Sequence, residues 1–570
     1  MNPSAPGSPR ILLTVEVEDY FHVGRFEQLI QRDQWYRFEG RLERNTRKTL
    51  DLLESFRIKA TFFVLGWVGD NLPELVREIA RRGHEVASMG YGHRTIEQKQ
   101  LDRGEFREDV VRSREALERA CGRRVLGNRV PHYLGPTDLW ALDVLADAGY
   151  VYDSSLRPIL RSLAREPWRR VVHQHGSTER PLWEFPLSSW GLLGWSIPIA
   201  GAGYFRHFPH AAMKLAVKRW HPRYRAPFVM YFRVWELDPE QPRIEAVSRL
   251  AKLRHYRNLD KMERVLRDYF QDYQVGGIAD YLGLDPGSVA AVVPAAPAPQ
   301  PAPARQAAES GAGLPRPRVS IVVPCYNESA TLGYLANTLK SVEAELEAQY
   351  DLRFIFVDDA SGDDTWDSLS RLFGGNRRCR LIRHDRNRGV AAAILTGIRA
   401  ADTEIVCSID CDCTYDPHEL RRMIPLLTPG VDLVTASPYH PQGLVRNVPG
   451  WRLSLSRGAS FLYRRVLRQK LATYTSCFRV YRKSAVEPLH LAEGGFLGVA
   501  EMLGKLDLRG GRVVEHPATL EVRIFGQSKM KVLRATLGHL RLLARLLALR
   551  LAARGASAEA APERGSTASP

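Results

Sequence analysis

The chain has 570 residues, more than one hydrophobic core supports, so we expect at least two domains. Apolar residues make up 44% and charged residues 25% of the sequence, which excludes a fibrous or wholly disordered protein. The formal net charge of +17 predicts acidic partners such as nucleic acid, anionic lipid or phosphorylated substrates. The sequence has no zinc-finger spacing and no aromatic RNA-binding motif, which argues against nucleic acid.

The cysteines and the N-terminal residues bear on the compartment. Seven cysteines, an odd number without a regular framework, favour reduced thiols in the cytosol over a disulfide scaffold. The opening MNPSAPGSPRILLTVEVEDYF places acidic side chains inside the first apolar run, unlike a signal peptide. No run of about 18 apolar residues occurs, so no spanning helix is expected. We expect a cytoplasmic protein, peripheral at the inner face of the cytoplasmic membrane.

Residues 1–283 form the first predicted domain. Apolar runs such as ILLTVEV, ATFFVLGW and PFVMYFRVWEL alternate there with amphipathic stretches, a pattern typical of an α/β fold. Glu16, Glu18 and Asp19 follow the first run, and the stretch HEVASMGYGH comes later. This half therefore holds the carboxylates and histidines that a hydrolytic metal site requires.

Eight ordered segments of this half carry a family resemblance. They are EVEDYFHV, ATFFVLGW, HEVASMGYGHRTI, GNRVPHYLGP, VYDSSLRP, EFPLSSWGLLG, IAGAGYFR and WELDPEQPRI. Together they resemble polysaccharide deacetylases of the NodB-homology type, specifically the exosortase-associated branch. The resemblance implies a distorted (β/α) barrel, a metal held by one Asp and two His, an Asp as base and a further His as acid.

Several positions depart from that pattern. Met89 stands where the first metal His belongs, Arg233 stands where a late His belongs, and Glu16 and Val130 replace a usual Asp and Ala. A thioether is a poor ligand for zinc, and arginine does not act as an acid near neutral pH. We therefore expect most metal affinity to be lost and the domain to be structural or glycan-binding. The degenerate site comprises Glu18, Asp19, Met89, His93, Arg129 and Arg233.

Residues 284–317 are an Ala/Pro-rich tract that cannot bury a core and favours extended conformations, so we expect an interdomain linker. Residues 318–530 are the second predicted domain. It opens with a βαβ pattern, in which VSIVV and FIFV predict strands and SATLGYLANTLKSVEAELEAQ predicts the helix between them.

Acidic residues follow three apolar runs of this second domain: Asn327-Glu328, Asp358-Asp359 and Asp410-Cys411-Asp412. Doubly wound sheets bind their ligands where strands end, so these residues predict the site. The two carboxylates of the DxD arrangement suit Mg²⁺ or Mn²⁺, which would neutralise a diphosphate leaving group. Asp358 or Asp359 would hold the base or ribose of a nucleotide.

The second domain also carries a family resemblance. The ordered motifs VPCYNE, VDDASGDDT, DRNRGVAAAILTGI, DCD, SCFRVYRK and FGQSKM resemble family 2 glycosyltransferases, most closely the polyprenyl- or dolichyl-phosphate mannosyltransferases. The resemblance implies a GT-A fold, inversion by in-line displacement, and metal and diphosphate handling by Asp410 and Asp412. The nucleotide-sugar contacts expected from the residues and the resemblance are Pro324, Tyr326, Glu328, Asp358, Asp359, Arg388, Gly389, Arg523 and Lys529.

The acceptor is predicted from what the motifs include and lack. A hydroxyl acceptor needs a general base, whereas a phosphate monoester is already anionic near neutral pH. The QxxRW motif of processive synthases is absent, and the GQSK ending resembles the lipid-phosphate subgroup, which favours polyprenyl phosphate over a glycan. Arg452 and Arg457 match the acceptor-phosphate region of that subgroup and suit phosphate by their forked donors; the alternative is an ordinary basic face of a helix. Glu501 matches a further family position, without an assigned role.

Residues 531–554 predict a basic amphipathic helix, which lies either in a membrane interface or against its own domain; we favour the membrane. Residues 555–570 are a polar low-complexity tail that we expect to be disordered. The predicted apolar arc comprises Leu533, Leu537, Leu540, Leu543, Leu547 and Leu551, with Arg534, Arg541 and Arg545 elsewhere.

The sequence thus predicts an inverting glycosyltransferase of exopolysaccharide or glycolipid synthesis, joined to a deacetylase-like domain that has lost its activity. Two alternatives remain open at this stage. One is a bifunctional enzyme whose first domain still removes N-acetyl groups through altered ligands. The other is a scaffold that binds glycans without catalysis, against which the intact DxD and GQSK motifs argue.

Overall fold

The computed structural model describes residues 11–26, 29–93, 101–135, 137–157, 167–176, 181–192, 195–285, 287, 316–526 and 532–559. These residues fall into two compact units. The first is drawn from the ranges 1–30, 40–241 and 247–308, and the second from 31–39, 242–246 and 309–570. Most of the predicted linker lies outside the described residues, so the predicted domain bounds stay predictions.

The first unit is an α/β fold. Its strands are β1 Ile11–Val17, β2 Thr61–Val64, β3 Glu85–Ser88, β4 Gly127–Asn128, β5 Tyr152–Asp153, β6 His173–His175, β7 Leu182–Glu184, β8 Ser189–Leu192, β9 Trp195–Pro198, β10 Phe228–Arg233 and β11 Val275–Gly276. Its helices are α1 Leu42–Ser55, α2 Gly66–Asn71, α3 Pro73–Arg81, α4 Arg103–Cys121, α5 Trp140–Asp147, α6 Ala202–His207, α7 His210–Tyr224, α8 Arg249–Tyr256, α9 Leu259–Asp272 and α10 Ile278–Leu282.

The main sheet of this unit has the order β10-β1-β2-β3-β4-β5-β7-β6, with β11 also paired to β1. It forms a curled half-barrel, which confirms the predicted barrel-like α/β class. β1 is buried along its whole length, as expected for a central strand of a parallel sheet covered on both faces. β1 and β10 are parallel neighbours in a register that sets Glu16 opposite Arg233, where both strands end.

The second unit is also an α/β fold. Its strands are β12 Arg318–Cys325, β13 Asp351–Asp358, β14 Cys379–Arg383, β15 Ile405–Ser408, β16 Leu433–Ser437, β17 Leu444–Val445, β18 Arg479–Arg482, β19 Val513–Pro517 and β20 Thr519–Leu520. Its helices are α11 Leu332–Leu346, α12 Thr365–Phe373, α13 Val390–Ala400, α14 Leu420–Met423, α15 Gly450–Val466, α16 Lys483–Val486, α17 Phe496–Leu508 and α18 Val532–Glu559.

The main sheet of the second unit has the order β14-β13-β12-β15-β18-β16-β19. β12 pairs in parallel with both β13 and β15, while β18 runs antiparallel between β15 and β16. The chain therefore moves outward through β13 and β14 and returns to the other side of β12 at β15. Such a reversal opens a crevice at the carboxyl ends of β12 and β15, where doubly wound sheets bind ligands. This confirms the predicted Rossmann-like GT-A class.

Helix α18 differs in part from its prediction. Leu542, Leu543 and Leu546 are buried in the core of the second unit, and the helix packs on α15 and α17. The sequence analysis placed Leu543 on the same face as the exposed leucines. This was wrong, because the buried arc is centred near Leu546 and includes Leu543. The helix also continues to Glu559, past the predicted end at residue 554. The remaining tail lies outside the described residues.

The exposed arc of α18 is still apolar. Four leucines of the predicted arc are solvent-exposed, and the side chain of Leu533 lies outside the description. Among the described helices, none is long and apolar enough to cross a membrane. The exposed leucines of the predicted arc are Leu537, Leu540, Leu547 and Leu551, and Leu549 is exposed outside that arc.

Candidate functional site

The acidic residues of the second unit lie just beyond three adjacent strands. Glu328 follows β12, Asp358 ends β13, and Asp410 and Asp412 follow β15. Because these strands are parallel neighbours, their carboxyl ends open at the same edge of the sheet. The topology thus brings the three predicted acidic segments to one edge.

Backbone and side-chain hydrogen bonds join the first two of these loops. The Asn327 amide donates to Ser361 Oγ at 2.8 Å, and the Gly362 amide donates to Asn327 Oδ1 at 2.7 Å. The Glu328 amide donates to Thr365 Oγ1 at 2.7 Å. These bonds fix the backbone that carries Glu328 before any ligand is bound.

Arg523 lies between the carboxylates of Glu328 and Asp412. Its Nη2 contacts Glu328 Oε2, and its Nε lies 3.6 Å from Asp412 Oδ2. The guanidinium therefore lies at the acidic edge, between two of its carboxylates. Arg523 reaches the site from the segment after β20, close in space but far in sequence from the DxD residues.

Asp410 and Asp412 are the residues that would hold a divalent cation. Burial, reinforced by the charge of Asp412, raises the pKa of Asp410 to about 7. Asp412 Oδ1 accepts the Thr414 amide at 3.1 Å, which orients that carboxylate. Each carboxylate makes ionisation of the other less favourable, and a bound hard cation would stabilise both in the ionised form. Mg²⁺ and Mn²⁺ prefer oxygen ligands of this kind. The donor set therefore fits the predicted metal.

Asp359 is engaged by the protein itself. Its carboxylate accepts the backbone amides of Arg388 at 2.8 Å and Gly389 at 2.7 Å, and contacts His384 Nδ1 at 2.7 Å. Gly389 has φ +93° and its Cα approaches the backbone of Gly494 so closely that a Cβ would clash. Asp359 thus anchors the turn that starts α13, and its predicted contact with nucleotide stays a prediction.

His384 is a residue that sequence reasoning missed. Its ring bridges Asp359 and Thr396 Oγ1, the latter at 3.0 Å, and it is buried. The sequence feature that could have identified it is its position, directly after a predicted strand and before the DRNRG motif. Asp358 in turn pairs with Arg383 Nε at 3.1 Å.

Glu501, to which no role was assigned, supports a loop beside this turn. Its carboxylate accepts the amides of Ala492 and Glu493 at 2.9 to 3.1 Å and pairs with Lys505 Nζ at 2.7 Å. The same loop contains Gly494, whose carbonyl accepts the Ala392 amide at 3.0 Å. The Glu501 carboxylate therefore binds this loop and Lys505.

The remaining predicted contacts within the described residues lie on or just after β12, in the turn before α13 and on α15. Pro324 lies within β12 and Tyr326 is exposed just after it. The Arg388 side chain pairs with Asp385 at 3.0 Å, and Arg457 on α15 lies over the Tyr439 ring at 5.3 Å. The side chain of Arg452 and all of Lys529 lie outside the described residues. The acceptor-phosphate roles of both arginines stay predictions.

The first unit holds a second cluster, at the carboxyl ends of β1 and β10. Arg233 Nε lies 2.9 Å from Glu16 Oε2 and 2.9 Å from Glu18 Oε2. Arg129 Nη1 lies 3.2 Å from Glu16 Oε1, and His93 Nε2 lies 2.8 Å from Glu18 Oε1. Burial opposes ionisation of Glu18, but His93 and Arg233 outweigh it and lower the pKa to about 2. Burial raises the pKa of Glu16 against the opposing arginines.

Asp19 does not share this cluster in the way that the sequence suggested. Its carboxylate accepts the amides of Tyr20 at 2.9 Å, Arg41 at 2.7 Å and Leu42 at 3.0 Å, so it caps the start of α1. Burial raises its pKa to about 7. The carboxylate that meets His93 is that of Glu18. Met89 is fully buried.

Comparison with known families gives three matches along the chain. Residues 320–489 match the model described as Glycosyl transferase family 2. The C-terminal domain is a family 2 glycosyltransferase domain. Residues 32–152 match Polysaccharide deacetylase, and residues 154–283 match Domain of unknown function (DUF3473). The chain therefore carries a polysaccharide deacetylase domain ahead of its family 2 domain, which confirms both resemblances.

Curated relatives match the family 2 domain. A dolichol-phosphate mannosyltransferase of Pyrococcus furiosus is 29% identical over 216 residues, which cover 38% of this chain and 59% of that protein. A polyprenol monophosphomannose synthase of Mycolicibacterium smegmatis is 28% identical, covering 39% of this chain and 86% of that protein. The chain thus spans about three-fifths of the length of the first of these relatives.

A solved structure is also similar. Glucosyl-3-phosphoglycerate synthase of Mycobacterium tuberculosis, in complex with Mn²⁺, uridine diphosphate and glucosyl-3-phosphoglycerate, is 21% identical with a TM-score of 0.31. The match covers 41% of this chain and 80% of that chain.

Proposed function

We propose that the family 2 domain transfers a sugar from a nucleoside-diphosphate sugar to polyprenyl phosphate, with Mg²⁺ or Mn²⁺ held by Asp410 and Asp412. The observation that carries the proposal is the convergence of both carboxylates with Glu328 and Arg523 at one sheet edge. A bound cation would neutralise charge on the departing diphosphate. Arg523 would add a fixed positive charge beside it, since guanidinium groups bind phosphate through paired donors.

A lipid-phosphate acceptor is supported by the engagement of two carboxylates near this edge in contacts within the protein. Among the described carboxylates near this edge, Asp359 is bound to backbone amides and Glu501 is bound to a loop and to Lys505. A phosphate monoester attacks without a base because it is already an anion. The names of the two curated relatives both refer to lipid-phosphate mannosyl transfer, which supports the same acceptor class.

Contact with a membrane is supported by the surface of α18. Four of its exposed leucines, Leu537, Leu540, Leu547 and Leu551, form one arc, and Arg541 and Arg545 are exposed beside that arc. Apolar side chains flanked by arginines suit an interface of acyl chains and anionic headgroups. We place the reaction at the inner face of the cytoplasmic membrane, in exopolysaccharide or glycolipid synthesis.

The test is transfer from a panel of labelled nucleotide sugars to polyprenyl phosphate in detergent micelles, with Mn²⁺ or Mg²⁺. The full-length chain is compared with Asp412→Asn, which keeps the shape of the side chain and removes its charge. Labelled lipid is expected only with the unaltered chain and only with metal, and the reactive donor identifies the sugar.

Asp402→Asn is the matched control, because Asp402 is an exposed carboxylate paired with Arg318 at the opposite end of the sheet. It should retain full transfer. Equal transfer by Asp412→Asn would refute the role of the DxD residues. Transfer to a glycan hydroxyl but not to lipid phosphate would refute the acceptor.

A further inference from the structure

The cluster in the polysaccharide deacetylase domain lies where the family resemblance implies a metal. The residues of that cluster do not fit a divalent cation. Met89, at an implied ligand position, offers a buried thioether, which is a soft and weak ligand for zinc. The nitrogen of His93 that faces the cluster, Nε2, is directed at Glu18 Oε1 at 2.8 Å.

All four carboxylate oxygens of Glu16 and Glu18 already face nitrogen atoms. Arg129 and Arg233 take the two oxygens of Glu16, at 3.2 Å and 2.9 Å. His93 and Arg233 take the two oxygens of Glu18, at 2.8 Å and 2.9 Å. A divalent ion would have to displace at least one of these contacts before it gained an oxygen ligand.

The charges of the cluster also balance without a metal. Two carboxylates face two guanidinium groups, and Arg129 is fully buried while Arg233 has 18% of its side chain exposed. Buried carboxylates require a compensating cation. A divalent ion would add two positive charges to a buried site that already holds two guanidinium groups.

We propose that Arg233 is a built-in cation that occupies the place of the divalent metal, so that this domain keeps a metal-independent guanidinium–carboxylate centre. The β1–β10 register sets Arg233 opposite Glu16 at the strand ends. The guanidinium therefore reaches both carboxylates from within the sheet. It holds Glu16 and Glu18 in position, which a bound metal would otherwise do.

The test restores the implied metal histidine at position 89, replaces the Arg233 cation with the late histidine of the family pattern, and measures metal binding itself. The full-length chain carrying Asp412→Ala, which weakens the other metal site, is titrated with Co²⁺ and followed by visible absorption and equilibrium dialysis. We expect no Co²⁺ bound at this cluster in that background. Met89→His with Arg233→His is expected to gain about one Co²⁺ per chain, with the absorption of nitrogen and oxygen ligands.

Adding His93→Ala to the double variant should remove the gained ion. Binding of one Co²⁺ by the background chain, lost on His93→Ala, would overturn the proposal. A folded double variant that gains no ion would also overturn it, because Met89 and Arg233 would then not be what excludes the metal.

A second measurement covers the case in which the double variant does not fold. The thermal unfolding midpoint of the unaltered chain is recorded with a chelator and with Zn²⁺, alongside the same pair for His93→Ala. A Zn²⁺-dependent shift of the midpoint should be the same in both chains. A shift that His93→Ala abolishes would overturn the proposal.

Discussion

At the residue scale, the same side-chain type serves different ends according to its neighbours. Asp410 and Asp412 are the proposed ligands of a cation, while Asp359 and Asp19 accept hydrogen bonds from backbone amides. All four follow apolar strands in the sequence. Which carboxylates remain available for a ligand depends on where the next loop passes, and that is set by the fold.

Asp359→Asn is expected to loosen the turn that starts α13. The amide nitrogen of Asn would face the backbone donors of Arg388 and Gly389 or the ring of His384, which leaves buried donors without an acceptor. Such a loss costs about 1 to 3 kcal/mol. Calorimetric titration with nucleotide sugars should show weaker donor binding, and transfer to lipid should show a raised KM.

Asp363→Asn is a control from the adjoining loop, since Asp363 is bound to Ser329 and Thr365. It is expected to change donor binding less than Asp359→Asn does. Equal donor affinity in Asp359→Asn and the unaltered chain would contradict the anchoring role.

His84 gives the polysaccharide deacetylase domain a pH-dependent stability. Burial, with smaller effects of Lys59 and Arg82, lowers its pKa to about 4, and Nδ1 accepts the Ala60 amide at 3.2 Å. The unfolded chain protonates His84 below about pH 6.5, whereas the folded chain does so only below about pH 4. The contribution of neutral His84 to the free energy of unfolding is therefore fully present above about pH 6.5. It should fall as the pH drops from about 6.5 to about 4, by on the order of 2 to 3 kcal/mol.

Thermal unfolding of this domain at a series of pH values checks that expectation. His84→Asn keeps an acceptor without a titrating group, so its unfolding midpoint should vary less across the same window. An equally steep pH dependence in the variant would assign the effect to other groups.

At the element scale, α18 divides into a buried and an exposed arc. Leu542, Leu543 and Leu546 join the core, while Tyr463 Oη on α15 meets His539 Nδ1 at 2.9 Å. The packed arc fixes the rotation of the helix and thereby the direction of its leucine stripe. This division is compatible with both interpretations of the sequence, a helix packed on its own domain and a helix at a membrane.

Leu540→Glu with Leu547→Glu is expected to weaken binding to anionic lipid vesicles. Both side chains are exposed, so the change should leave the fold intact while removing apolar area from the interface. Losing about 1 kcal/mol for each of the two leucines would lower vesicle affinity about thirtyfold. Co-sedimentation with vesicles measures the change.

Leu372→Glu on α12 is the matched control, because this leucine is also exposed. It should bind vesicles as the unaltered chain does. Equal losses in both proteins would indicate a charge effect and would contradict a docking role for α18.

At the scale of the whole molecule, net charge sets the long-range attraction to surfaces. The formal net charge of +17 makes the protein strongly positive, and exposed arginines lie beside the leucine stripe of α18. Binding to anionic vesicles should therefore weaken strongly between about 0.05 M and 0.5 M salt, because screening shortens the electrostatic range.

Vesicles of zwitterionic lipid provide the comparison for that measurement. Their weaker binding should change little with salt, since it rests on apolar contact alone. A salt response of equal size with both lipids would exclude headgroup charge as its cause.

The sequence by itself determined the two α/β classes, both families and the edge at which Glu328, Asp410 and Asp412 gather. Apolar runs define buried strands, and acidic residues after such runs must lie at strand ends. Met89 and Arg233 were recognised as departures for a chemical reason that needs no coordinates, since neither side chain can replace an imidazole at its position.

The tertiary structure decided what those residues contact. The pairing of Arg523 with Glu328, of Arg233 with Glu16 and of His384 with Asp359 joins positions that are distant or unmarked in the sequence. Strand register and loop path determine such pairs, and neither follows from local periodicity. The rotation of α18 was also decided by packing, because leucines surround most of that helix and only its neighbours select the buried arc.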